Sequence, residues 1–143
     1  MDRAKSLTRA TSSLRFRIIE IRRLHGHEQI RPALLHELTE QIREDGVLKR
    51  PVLVAERDFV ILDGHHRVEA LRALGCKRIP VYLVDYESEI VMLGTWPDAI
   101  VKAVTKQEVI RRGLSRDLFP PKTTRHTLTV PLEDYPTDLE DLK

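Results

Sequence analysis

Val60-Ile61-Leu62-Asp63-Gly64-His65-His66-Arg67, followed by Val68, Leu71 and Leu74 at helical spacing and then by Gly75, is the stretch that decides the fold. An apolar run ends in Asp-Gly and passes straight into an amphipathic segment that a glycine can stop, which predicts a strand, a glycine turn and a helix. Ile79-Pro80-Val81-Tyr82-Leu83-Val84 follows as the next strand. Upstream, Pro51 to Val54 and Phe59 to Leu62 are apolar runs separated by Glu56-Arg57-Asp58, the pattern of two paired strands joined by a tight turn. Pro32 stands where a first helical position is expected. Leu34, Leu35, Leu38 and Ile42 then share one side of a helix that Gly46 ends. Phe16 to Ile21 reads as the first strand and Ile90 to Trp96 as another.

Beyond these, Thr105-Lys106-Gln107-Glu108 has the form of a capping box, opening a short helix with Gly113 as its stop. Phe119 to His126 contains Pro120-Pro121, which excludes helix there and points to a structured loop. The expected fold class is α+β, a small mixed sheet with helices mainly on one side. Residues 1–14 read as a flexible, basic arm and residues 15–143 as one domain, for which 143 residues at 41% hydrophobic content suffice.

Charge is nearly balanced, with 24 Lys and Arg against 22 Asp and Glu, so no global basic field marks a nucleic-acid coat. It is unevenly placed: Met1 to Arg23 is rich in basic residues and Leu132 to Lys143 in acidic ones, which reads as a solvated arm and a solvated acidic tail or as an electrostatic contact with nucleic acid or another subunit. A single cysteine, Cys76, permits no intrachain disulfide and suits the reducing cytoplasm. No apolar run has the length of a membrane helix.

The chemistry begins at the glycine turn. Unpaired N–H groups and the helix dipole at a helix start favour an anion, and Gly64 admits a ligand close to the backbone. His65, His66 and Arg67 add side-chain donors; the plainer reading is a turn capped by Asp63 with exposed histidines. A second group, Lys122, Thr123, Thr124, Arg125 and His126, offers hydroxyls, a guanidinium and an imidazole suited to an oligophosphate, or is simply an exposed polar loop. Glu28 lies between the first strand and first helix, as a solvated charge or as a carboxylate that orients or deprotonates a hydroxyl. Trp96, the one tryptophan, is either a buried anchor or one wall of a small-molecule pocket. Six histidines invite zinc, but no metal-binding spacing appears among them.

The run Val60 to Arg67 with Ala70-Leu71 and Leu74-Gly75 resembles the phosphate-binding core of the ParB/sulfiredoxin superfamily. Within it, His27-Glu28-Gln29, Asp63 to Arg67, Thr95-Trp96, Thr105 to Val109, Pro121 to His126 and the acidic Leu139 to Leu142 are similar to elements of the archaeal free-serine kinases. The resemblance implies phosphoryl transfer from ATP or ADP, with Mg²⁺, to free L-serine, giving O-phosphoserine that feeds cysteine biosynthesis. It implies Glu28 as catalytic carboxylate, Gly64 to Arg67 and Lys122 to His126 as the phosphate sites, and Trp96 as a serine contact. Asp63 becomes a second catalytic candidate, for the Mg²⁺ shell or the substrate hydroxyl; the full set of metal ligands stays open. Only Pro97 to Val104 stands where those kinases carry a long insert, and ATP, the commoner donor, is expected ahead of ADP. The alternative is a nucleotide-binding, DNA-binding regulator of the ParB kind, supported by the basic arm. Sulfiredoxin chemistry is set aside because His65 occupies the place of its cysteine.

Overall fold

In the computed structural model, which describes residues 14–143, the chain runs β1 (Leu14–Glu20), α1 (Pro32–Asp45), β2 (Val47–Leu48), β3 (Val52–Ala55), β4 (Ile61–Asp63), α2 (His65–Ala73), β5 (Arg78–Val84), β6 (Val91–Thr95), α3 (Lys106–Ser115), β7 (Thr124–Leu128) and β8 (Thr137–Asp138). The arm expected over residues 1–14 lies outside the described residues except for Leu14, which opens β1. The main sheet has the order β1-β5-β3-β4, with β5 and β3 parallel and the outer pairs antiparallel.

Strand β3 is the axis of the molecule. All four of its residues are buried, and its period of two sends Val52 and Val54 into one core and Leu53 and Ala55 into the other. Strand β5 divides the same way, Ile79, Val81 and Leu83 facing the first core and Val84 the second. Helices α1 and α2 cover the first core, where Ile42, Val68 and Leu71 are buried. The second is covered by Val91 at the start of β6, Val109 of α3 and Phe119. The expectation of helices mainly on one side holds, since α1 and α2 share the first face; the opposite face is also covered, by α3 and the β6–β7 pair, because both faces of β3 are apolar.

Three expectations give way. Gly113 does not stop α3, which runs to Ser115 and ends with Arg116 in the left-handed region at φ 62°. A Cβ on Gly113 would sit 2.8 Å from the Val60 side chain, so the glycine lets α3 lie against β4's approach rather than end. The stretch from Phe119 to His126 is irregular only up to Thr123; Thr124 to His126 are strand, paired with Leu93 to Thr95. Nor is the acidic end a solvated tail. Strand β8 pairs with β2, and Leu139 and Leu142 are buried in the first core while Glu140 and Asp141 face water. Burial of a leucine such as Leu142 contributes about 1.5–3 kcal/mol, enough to fix the segment. Cys76 is buried beside it, as a packing residue.

Candidate active site

Helix α2 begins directly off β4 because Gly64 takes φ 112°, and a Cβ there would lie 2.5 Å from Val52. Gly64 itself is the N-cap and no side chain caps the helix, so the N–H groups of the first turn stay open and Asp63 is not a cap. Asp63 is exposed and pairs loosely with Arg67 at 3.4 Å.

The side chains of this turn are engaged inward. His65 is buried, and its Nε2 accepts the backbone N–H of His27 at 3.0 Å. His66 Nε2 accepts from the Arg31 N–H at 3.1 Å. Arg67 donates through Nη1 to the carbonyls of Arg50 and Pro51 at 3.1 and 3.0 Å, tying α2 to the entry of β3. Burial holds His65 far below the usual imidazole range, with the neighbouring histidines and Lys122 adding to it, and lowers His66 and Arg67 as well. The turn therefore meets an anion with backbone N–H groups more than with charged side chains.

The opposite wall is the segment leading into β7. Lys122 adopts φ 56°, an uncommon conformation for a residue with a side chain, and is exposed, as is Arg125. Thr123 is fully buried and its hydroxyl donates to the Pro120 carbonyl at 2.7 Å. Thr124 grips Glu28: both its N–H and its hydroxyl, the latter at 2.6 Å, reach Glu28 Oε1. Burial pushes the Glu28 carboxyl up, opposed by those bonds, the Thr123 N–H and Lys122. Tyr86 and His126 share a 2.7 Å hydrogen bond, and burial, aided by His27 and Lys106, pushes His126 down to about 3.

Between the walls lies a cavity of about 530 Å³. It brings together Glu28, Asp63, Gly64, His65, His66, Arg67, Trp96, Lys122, Thr124, Arg125 and His126; of the expected residues only Thr123 is turned away from it. A second cavity of about 510 Å³, lined by Arg31 and Pro97 to Ile100, shares Trp96 and Lys122 with the first. Trp96 is 38% exposed, donates Nε1–H to the Thr124 carbonyl at 3.1 Å, and carries the Arg125 guanidinium over its ring at 4.7 Å. It is a wall between two cavities and not a buried anchor.

Sequence reasoning assigned no role to Arg31, Tyr86 or His27, which complete the site. Arg31 adds a cation at the second cavity, and no local pattern marks it. Tyr86 and His27 act from the core, through His126 and Thr124, across distances the sequence does not display. Among the described residues no group of three or more His, Cys, Asp or Glu is placed to cage a metal. A Mg²⁺ that arrives on nucleotide phosphates needs only one or two carboxylates, and exposed Asp63 beside the helix start fits that need.

The ParB N-terminal domain family matches residues 2–94. An ATP-dependent L-serine kinase of Staphylothermus marinus is 36% identical over 103 residues, 68% of this chain and 41% of that protein. An ADP-dependent L-serine kinase of Thermococcus kodakarensis is 34% identical over 90 residues, 60% of this chain and 37% of the other. The chain thus spans about two fifths of the length of these curated relatives. Among solved structures, a free serine kinase in complex with AMP superposes with a TM-score of 0.82 at 22% identity, covering 90% of this chain and 93% of that one. The last likeness shows the fold.

Proposed function

The chain belongs to the ParB N-terminal domain family, and from that premise we propose that it transfers the terminal phosphoryl group of ATP or ADP to the hydroxyl of free L-serine. One observation carries the reading: Glu28, held at one oxygen by Thr124, lines the same cavity as the open N-terminus of α2 and the cations Lys122 and Arg125. Phosphoryl transfer asks chiefly for placement and charge neutralisation, and a carboxylate within reach of the acceptor hydroxyl completes the set.

In this reading the first-turn N–H groups of α2 and the side chains of Lys122 and Arg125 cradle the phosphates. Trp96 shapes the acceptor's place, and Glu28 orients the serine hydroxyl and takes its proton. Asp63 would be the residue to hold a Mg²⁺, which when bound would supply further charge neutralisation. Residues 15–143 form the catalytic unit, working in the cytoplasm on small molecules; ATP is the expected donor, and a relative of each donor type is known.

The test is direct: full-length protein with Mg²⁺, L-serine and either nucleotide, followed by phosphorus NMR. O-phosphoserine from one or both donors supports the reading, and its absence with both sinks it. Threonine and homoserine in the same assay measure how narrowly the acceptor is chosen.

A further inference from the structure

Behind Glu28 three groups stand in a line that is one hydrogen short. His27 is wholly buried, and its Nδ1 lies 2.7 Å from the Ile61 carbonyl, which can only accept, so Nδ1 carries a hydrogen. In a neutral ring Nε2 is then bare. It lies 2.7 Å from Thr124 Oγ1, which lies 2.6 Å from Glu28 Oε1. One hydroxyl hydrogen cannot serve both contacts. With His27 neutral and Glu28 ionised, one buried short contact would set lone pair against lone pair, an arrangement that native interiors avoid.

One added proton completes the line in either of two ways: on Glu28, which then donates to Thr124 while Thr124 donates to His27, or on His27, with both donations reversed. The surroundings choose between them. His27 meets the His65 ring at 4.6 Å and the His126 ring at 5.8 Å, with Phe119 on another side, and among the described residues Glu28 is the one carboxylate paired with it. Burial pushes His27 down to about 4 and pushes Glu28 up against the opposing pull of the Thr124 and Thr123 bonds and Lys122; with the two short buried contacts still to be satisfied, the resting proton is assigned to Glu28.

We infer that Glu28, Thr124 and His27 share one proton, resting on Glu28, and that His27 is the positioning residue that receives a proton through this line when the acceptor hydroxyl gives up its own. The catalytic half rests on the kinase reading above. In the step, the serine O–H bond breaks as its hydrogen bonds to Glu28 Oε2; Oε1 releases its hydrogen to Thr124 Oγ1, and Thr124 passes its own to His27 Nε2. The serine oxygen bonds to phosphorus as the bond to the nucleotide oxygen breaks. Glu28 ends neutral, as it began, and His27 ends as a transient imidazolium, a buried charge that its surroundings disfavour and that returns its proton along the same line once the product leaves. A carboxyl that stays neutral does not repel the incoming polyphosphate, which an ionised one at the same place would do.

Infrared spectroscopy of the full chain at neutral pH should show an un-ionised carboxylic acid band that Glu28→Gln removes. Nitrogen NMR of labelled histidine should show His27 neutral, with hydrogen on Nδ1 and a hydrogen-bonded Nε2. In Thr124→Val the line is cut and only the backbone N–H remains on Oε1, so the titration midpoint of the band should fall. A hydroxyl that merely donated to an ionised Glu28 predicts the opposite shift. The same variant should lose about ten- to a hundredfold in kcat with KM little changed, and Thr124→Ser should restore it. An ionised Glu28 at neutral pH, or a midpoint that rises in Thr124→Val, overturns the inference. The two spectra need no variant beyond Glu28→Gln, so they decide even if Thr124→Val does not fold. Spectra as expected without any O-phosphoserine would overturn the kinase reading and leave the shared proton standing.

Discussion

The turn at Gly64 to Arg67 and the segment from Lys122 to His126 face each other across one cavity, yet they are built on opposite principles. In the turn the side chains are occupied by the protein: His65 and His66 accept backbone hydrogens and Arg67 is tied to two carbonyls. What it offers a ligand is main chain. In the segment the main chain is occupied by strand pairing and by Glu28, and Lys122 and Arg125 project outward. The difference teaches that a cluster of histidines and arginine in a sequence need not be a cluster of charge in the fold. In the proposed reading, binding energy at the turn would depend on shape, and at the segment on charge.

The comparison is most severely tested where the two walls meet. Glu28→Gln should lower turnover by about 10²–10⁴-fold while nucleotide affinity changes little; parallel loss of both, by titration calorimetry and a kinase assay, would make Glu28 a structural part of the segment. Gly64→Ala comes next: a Cβ 2.5 Å from Val52 at φ 112° should cost about 2–4 kcal/mol in denaturant unfolding, a loss that belongs to shape. Arg67→Met should destabilise by about 1–3 kcal/mol by leaving two carbonyls without their donor. If it instead weakens nucleotide binding with stability intact, the turn works by charge after all. Lys122→Ala should do the reverse, weakening nucleotide about tenfold, less at high salt, with an unchanged melting temperature.

The smallest effect concerns pH. His27 and His126 are held neutral by burial, with folded values near 4 and 3 against an ordinary 6.5. Their contribution to stability is complete above pH 6.5 and is lost as pH falls through the window from about 6.5 to 3. Glu28, raised by burial, acts with the opposite sign from its folded value down to the ordinary 4.5, and so offsets part of the loss in the upper part of that window. Melting temperatures should therefore decline below pH 6.5, whereas nucleotide affinity should gain nothing from His65 or His126 between pH 8 and 6.

Much of this was legible in the chain because it is local. Pro32 and Gly46 bound α1, the Asp63-Gly64 turn launches α2, and both walls of the cavity stand out by composition. Gly113 misled because a glycine that allows close packing and one that ends a helix look alike without the neighbour, here Val60. The acidic end misled because Leu139 and Leu142 flank two charges, Glu140 and Asp141, in a segment too short to show a period. His27 was adjacent to a recognised carboxylate, but its task depends on Ile61 and Thr124, the latter 97 residues away. Partners that distant leave no mark on a local pattern.

Trp96 gives the molecule an optical instrument of its own. As the one tryptophan, it borders both cavities, bonds to the Thr124 carbonyl and lies beneath Arg125. A ligand that draws Arg125 towards phosphate lifts a cation from the indole face, so emission from the unlabelled protein should report nucleotide arrival in real time. Occupancy of the neighbouring cavity, which the same indole lines, should give a second signal.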